Sequence, residues 1–190
     1  NIAKSGRKIM FVATKKQAKT YLSEKAKELN MPYVTERWLG GMLTNFSTIR
    51  KSLKKLSSIE NMQSQDSYTQ DFSKKERLMI SRDKDKLERA LGGISTLNRI
   101  PAALFVVDIK HEEIAIQEAK KLNIPVYGMV DTNSDPNQID FEIPSNDDSF
   151  TSVATIMDYI SEAIAEGLKE REKIKEEIRI KQEKEASEKE

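Results

Sequence analysis

The chain has no cysteine among its 190 residues, which excludes disulfides and thiolate-held metals and gives no sign of an oxidising compartment. No apolar run approaches the ~18–20 residues that a membrane-spanning helix needs, and the first residues do not read as a secretory signal. A soluble, cytoplasmic protein with no membrane partner is therefore expected. The first predicted strand is not followed by a Gly-rich phosphate cradle, in either its dinucleotide or its P-loop form. The one histidine, His111, stands at a helix start with no Ser or Cys at a spacing that would select a catalytic set. No catalytic constellation emerges, and neither a cofactor nor a small-molecule substrate is expected. Apolar residues make up 37% of the chain and charged ones 33%, which suits a small core carrying long solvated elements. The sequence opens at Asn1 a few residues before its first strand, so an N-terminal portion is expected to be missing.

What the chain has in quantity is segregated charge. The formal net charge of +1 conceals 13 Lys/Arg against 3 Asp/Glu in residues 1–55, and 3 against 12 in residues 101–165. A basic part of net +10 beside an acidic part of net −9 points to a polyanionic partner on one face. A merely solvated basic face is the plainer alternative, but an imbalance this large within 55 residues favours an anionic ligand.

Residues 8–13 are short, apolar and β-rich, and predict a buried strand. Thr14 is placed to cap a helix over 15–29, with Ala18, Leu22, Ala26 and Leu29 inward and Asn30 as its stop. Residues 32–34 form a second strand, and this β-α-β order argues for a parallel sheet covered by helices. A helix over 45–61 follows, with a narrow stripe of Phe46, Ile49, Leu53, Leu56 and Ile59. Polar residues 62–73 read as a turnaround. Ser73 and Glu76 form a capping-box pattern for a return helix over 74–91, which Gly92-Gly93 ends. Two narrow-seamed antiparallel helices predict a coiled-coil hairpin inserted into the α/β domain. The α/β pattern resumes with strands at 102–108 and 125–130. The helix between them is expected to turn Ile114, Ala115, Ala119 and Leu122 inward. Residues 139–143 alternate as a sheet edge would, and the final helix begins near 146–149. The expected organisation is an α/β domain over 1–44 and 92–167, a hairpin over 45–91, and a charged helical or disordered tail over 168–190.

Two constellations carry candidate chemistry. Asp131, Asp135, Asp147 and Asp148 could hold a hard cation, but such loops also cap themselves; the capping reading is preferred and no metal site is expected. The basic part is more informative. Lys15, Lys16 and Lys19 cluster on the first turns of a helix, and Arg7, Lys8, Arg37, Arg50, Lys51, Lys54 and Lys55 extend the positive charge to the hairpin base. Lys and Arg that neutralise phosphates supply affinity without reading sequence, which suits folded RNA. Between the two domains, Arg37-Trp38-Leu39-Gly40-Gly41-Met42-Leu43-Thr44-Asn45-Phe46 places an Arg, the only Trp and a Gly pair in five residues. Trp38 is expected to anchor a packed hinge, with stacking on an unpaired base as the weaker alternative. Arg37 and Asn45 are placed to reach RNA.

These residues together resemble the bacterial-type small-subunit ribosomal protein S-two family. The motifs are Phe11-Val12-Ala13-Thr14-Lys15-Lys16-Gln17-Ala18, the Arg37 to Phe46 stretch, Leu91-Gly92-Gly93-Ile94, Pro101-Ala102-Ala103-Leu104-Phe105-Val106-Val107-Asp108 and Asn123-Ile124-Pro125-Val126. Val130-Asp131-Thr132-Asn133-Ser134-Asp135-Pro136 and Ile143-Pro144-Ser145-Asn146-Asp147-Asp148 complete the set, in order from about residue 6 to 167. The resemblance implies a Rossmann-like or flavodoxin-like sheet with a coiled-coil insertion. It also implies a structural, non-enzymatic protein on small-subunit ribosomal RNA, between head and body. Its protein partners would be neighbouring ribosomal proteins, including the large mRNA-binding one that the family helps recruit. Family members usually carry some sixty further N-terminal residues, and commonly Gly where this chain has Ala13. The rival from another class is a nucleotide- or sugar-phosphate-binding α/β enzyme.

Overall fold

The computed structural model describes residues 1–65 and 72–187. Five parallel strands form one sheet: β1 Ile9–Val12, β2 Tyr33–Val34, β3 Ala103–Val107, β4 Val126–Val130 and β5 Phe141–Pro144, in the order β2-β1-β3-β4-β5. Phe11 is in register with Tyr33 on one side and Phe105 on the other. The fold is thus α/β, as expected. The strand order reverses between β1 and β3, and in open sheets of this kind the crevice at the strands' C-terminal ends opens at that point.

Alternation along the strands explains the two cores. Phe11, Ala13, Phe105, Val107 and Met129 face α1 (Lys16–Glu28) and the last helix, α5 (Phe150–Ser187). Met10, Val12, Leu104, Val106 and Val126 face the other way, against α4 (Glu113–Lys121), Trp38 and the roots of α2 (Phe46–Gln63) and α3 (Lys74–Leu91). A sheet covered on both faces reads as continuous apolar runs, and all five residues of β3 are buried. The edges differ: β2 has two residues, and β5 leaves Phe141 half exposed, stacked on Tyr127 with ring centroids 4.4 Å apart.

Helices α2 and α3 pack side by side, with Leu56 and Ile59 buried and Lys55 bridged to Asp83 at 3.2 Å. The expected capping box is present: the Ser73 hydroxyl accepts from the Glu76 N–H, and Glu76 accepts from the Ser73 N–H at 2.9 Å. Much of the expected turnaround, 66–71, lies outside the described residues, as do 188–190 of the tail.

Gly92 follows the last residue of α3, as expected, and opens a short 3-10 turn, Gly92–Ile94. Two local expectations are corrected. Thr14 does not cap α1; its N–H and hydroxyl both go to Glu112. Helix α4 is rotated from the expected face: Ile114 is 55% exposed and Leu122 is also exposed, while Ala115, Ile116, Glu118 and Ala119 are buried. The rotation brings Glu118, a carboxylate, into the core, and counting apolar residues alone could not anticipate that.

Candidate nucleic-acid interface

The junction between sheet and helical pair is held by that carboxylate. Oε1 of Glu118 accepts from the Trp38 indole N–H at 3.1 Å and the Gly41 N–H at 2.6 Å. Oε2 accepts from the Leu43 and Thr44 N–H groups at 2.9 and 3.0 Å, and from the Thr44 hydroxyl at 3.1 Å. Burial disfavours the charged form, yet the convergent bonds from Thr44, Leu43, Trp38 and Gly41 outweigh it and hold the carboxyl below its ordinary range. Gly41 adopts φ +87°, which favours glycine; Gly40 has open space around it and no such need.

Trp38 is 6% exposed, packed in the core and bonded to Glu118. The packed-anchor expectation fits this placement; the stacking alternative does not, because the ring offers no free face. Beside it Arg37 is exposed, as are Thr44 and Asn45. Asn45 precedes α2, and its Oδ1 accepts from the Thr48 hydroxyl at 2.9 Å and the Ser47 hydroxyl at 3.2 Å.

A second cluster sits at the crevice between β1 and β3. The Lys15 ammonium donates to Asp147 Oδ1 at 2.8 Å, to Asp148 Oδ1 at 2.5 Å and to Asp108 Oδ2 at 3.2 Å. Burial alone would lower its pKa, but bonds to Asp147, Asp148 and Asp108 raise it well above the ordinary lysine value. Asp147 is fully buried, which pushes its carboxyl up against the pull of Lys15. Asp131 converges on Asp147 and Asp148, one oxygen of each lying within 4.8 Å of the others. Asp135 stands apart and caps a 3-10 turn through the Asn137 N–H at 3.0 Å. Lys15 supplies a cation to these carboxylates from within the chain, so its charge is committed inward rather than to an external phosphate. A crevice lined by carboxylates is also a poor seat for a nucleotide phosphate.

The remaining cations of the expected set divide by partner. Lys8 donates to the Asn30 carbonyl, Lys19 is bridged to Glu36 at 3.1 Å, and Lys55 to Asp83. Burial, with Arg171 nearby, lowers the Lys8 pKa. Arg7, Lys16, Arg37, Arg50, Lys51 and Lys54 are exposed, and among the described residues none of them is in an ion pair. Of these six, Arg37 lines a groove with Arg82, Lys86 and Arg89 of α3. Sequence reasoning passed over them because residues 56–100 are nearly balanced in charge, although their spacing of four and three marks one helix face.

Geometry thus defines a doubly covered parallel sheet with a basic helical pair between β2 and β3 and a Lys15–aspartate ion cluster at the switch-point crevice. Residues 1–167 match the family described as Ribosomal protein S2. The small ribosomal subunit protein uS2 of Cytophaga hutchinsonii is 56% identical over 185 residues, 97% of this chain and 72% of the relative. Those of Flavobacterium johnsoniae and Christiangramia forsetii are 59% and 58% identical over 170 residues, 90% of this chain. The chain spans 66% and 56% of their lengths. The chain belongs to the ribosomal protein S2 family, a family of structural proteins and not of enzymes, which removes the enzyme rival. No helix among the described residues is long and apolar enough to cross a membrane.

Proposed function

We propose that this chain is a structural constituent of the small ribosomal subunit that binds small-subunit ribosomal RNA through its basic surface, between head and body. In this reading it works in the cytoplasm, alongside neighbouring ribosomal proteins, and supports recruitment of the large mRNA-binding one. The observation that carries the reading is that Arg7, Lys16, Arg37, Arg50, Lys51 and Lys54 are exposed and, among the described residues, in no ion pair, on a member of a ribosomal family. Phosphate contacts release counterions, so each adds ~0.7–0.9 to the slope of log affinity against log salt.

The test is binding of the whole chain to small-subunit ribosomal RNA across a salt series, with incorporation into small subunits in competition with the unaltered chain. The expected result is a slope of several units and incorporation that falls as exposed cations are neutralised. A flat salt response, with undiminished incorporation of the charge-reduced variants, overturns the reading. The α2–α3 insertion as a protein-docking module is tested by deleting residues 50–90 and measuring RNA and protein contacts separately.

A further inference from the structure

At the root of the helical pair, the loop carrying Glu36 and Arg37 faces the side of α3 that bears Arg82, Lys86 and Arg89. Between them runs a groove floored by Leu39 and Ala90. Among the described residues none of these four cations is in an ion pair, whereas Glu36 is compensated by Lys19. The groove therefore sets four free positive charges against Asp85. Positions 82, 86 and 89 share one helix face, and at 1.5 Å per residue they span about 10 Å. One nucleic-acid strand in a duplex carries a phosphate about every 3.4 Å along its axis, so that span covers about three phosphate steps.

The opposite wall is fixed rather than loose. Arg37 directly precedes Trp38, whose indole is locked on Glu118, so ordering that wall costs little when a ligand arrives. The cations of α2 differ: Arg50 and Lys51 are exposed on the helix surface, and Lys54 lines a separate hollow with Ser57, Ser58 and Asn61 that holds no second cation, so each is a single charge open to screening by salt.

We propose that this groove, and not the outer face of α2, is the principal seat of the RNA phosphate backbone on this chain. The proposal rests on the ribosomal RNA reading above. Guanidinium forks at three of the four cationic positions suit bidentate phosphate binding from both walls. The apolar floor contributes shape and carries no competing charge.

The test compares two sets of substitutions in the full chain: Arg82→Gln, Lys86→Gln and Arg89→Gln in the groove, and Arg50→Gln, Lys51→Gln and Lys54→Gln on α2. Each is titrated with small-subunit ribosomal RNA over a salt series. The groove set is expected to reduce the slope by about 2–3, at ~0.7–0.9 per lost contact, and to weaken binding at least tenfold. The α2 set should change the slope by less than about 1 on the same scale. Exchanging Arg for Lys and Lys for Arg at the groove positions should keep most of the slope. Arg37→Gln on the opposite wall should remove about one contact's worth, and it keeps the proposal testable if the triple variant loses helix by circular dichroism. An equal or larger loss from the α2 set overturns the groove while leaving the RNA reading standing. Salt-independent or absent binding by the unaltered chain overturns both.

Discussion

Glu118 and Trp38 lie eighty positions apart in the chain, yet the carboxylate accepts the indole N–H at 3.1 Å inside the core. The same side chain takes three backbone N–H groups and a hydroxyl from the loop that follows Trp38. One buried charge on α4 thereby fixes the direction in which α2 leaves the sheet. Removing it strands several buried donors at once. Glu118→Ala is expected to destabilise the chain by about 3 kcal/mol. Glu118→Gln should cost about 2 kcal/mol, because its amide donors face the loop's own N–H groups. Chemical denaturation measures both, and a loss below about 0.5 kcal/mol for the alanine variant would show that the loop finds other partners.

Glu118 and Glu112 should pull the pH dependence of stability in opposite directions. The folded-state pKa of Glu118 is depressed, so its contribution is complete above the ordinary glutamate range and is lost as pH falls through the folded value. Glu112 is raised, chiefly by burial and against the bonds from Thr14, so its ionised form weakens the fold at neutral pH. Stability from that group rises as pH falls from its folded value toward the ordinary 4.5. Glu112→Gln should remove this second slope while keeping an acceptor for Thr14. Denaturation midpoints between pH 4 and 8 (roughly the carboxylate window and above) should show a flatter profile than the parent; an identical profile would refute the assignment.

Lys15 should behave as a structural residue. Lys15→Ala leaves Asp147 buried without its cation, and breaking such a pair costs about 3 kcal/mol. Lys16→Ala, one position on and exposed, should leave stability within about 0.5 kcal/mol of the parent while reducing the salt slope of RNA binding. Equal stability for the two variants would contradict the ion cluster.

Gly93 packs where no side chain fits: a Cβ there would lie 2.2 Å from the Tyr33 carbonyl oxygen and 2.8 Å from its ring. Gly93→Ala should cost about 2 kcal/mol through displacement of the β2 edge. For a chain of this size that lowers Tm by about 4–8 °C. Gly40→Ala, with open space around the position, should shift Tm by less than about 2 °C and serves as the control.

The strands and the helix boundaries were legible because local rules decide them. Short apolar runs became β1, β3 and β4. Asn30 ends α1 with a left-handed φ of 51°, and Ser73 with Glu76 starts α3. The rotation of α4 was illegible because its inward face is defined partly by a carboxylate, which apolar periodicity counts as outward. Thr14 shows the same limit: a good capping residue was drawn off by a buried acceptor on another element. Of the four candidate cation-loop aspartates, three meet and Asp135 does not, since convergence depends on where β4 and β5 place their loops.

By itself the sequence determined the α/β class, the run of strands and helices, and the basic and aromatic character of the junction, because propensity, periodicity and charge are properties of neighbouring residues. Tertiary structure alone decided which charges remain for a partner. Lys15 was withdrawn into an ion cluster, Trp38 was locked by Glu118, and Arg82, Lys86 and Arg89 were brought opposite Arg37. Each outcome turns on contacts across tens of residues, where burial makes an unpaired charge or donor too costly to leave alone.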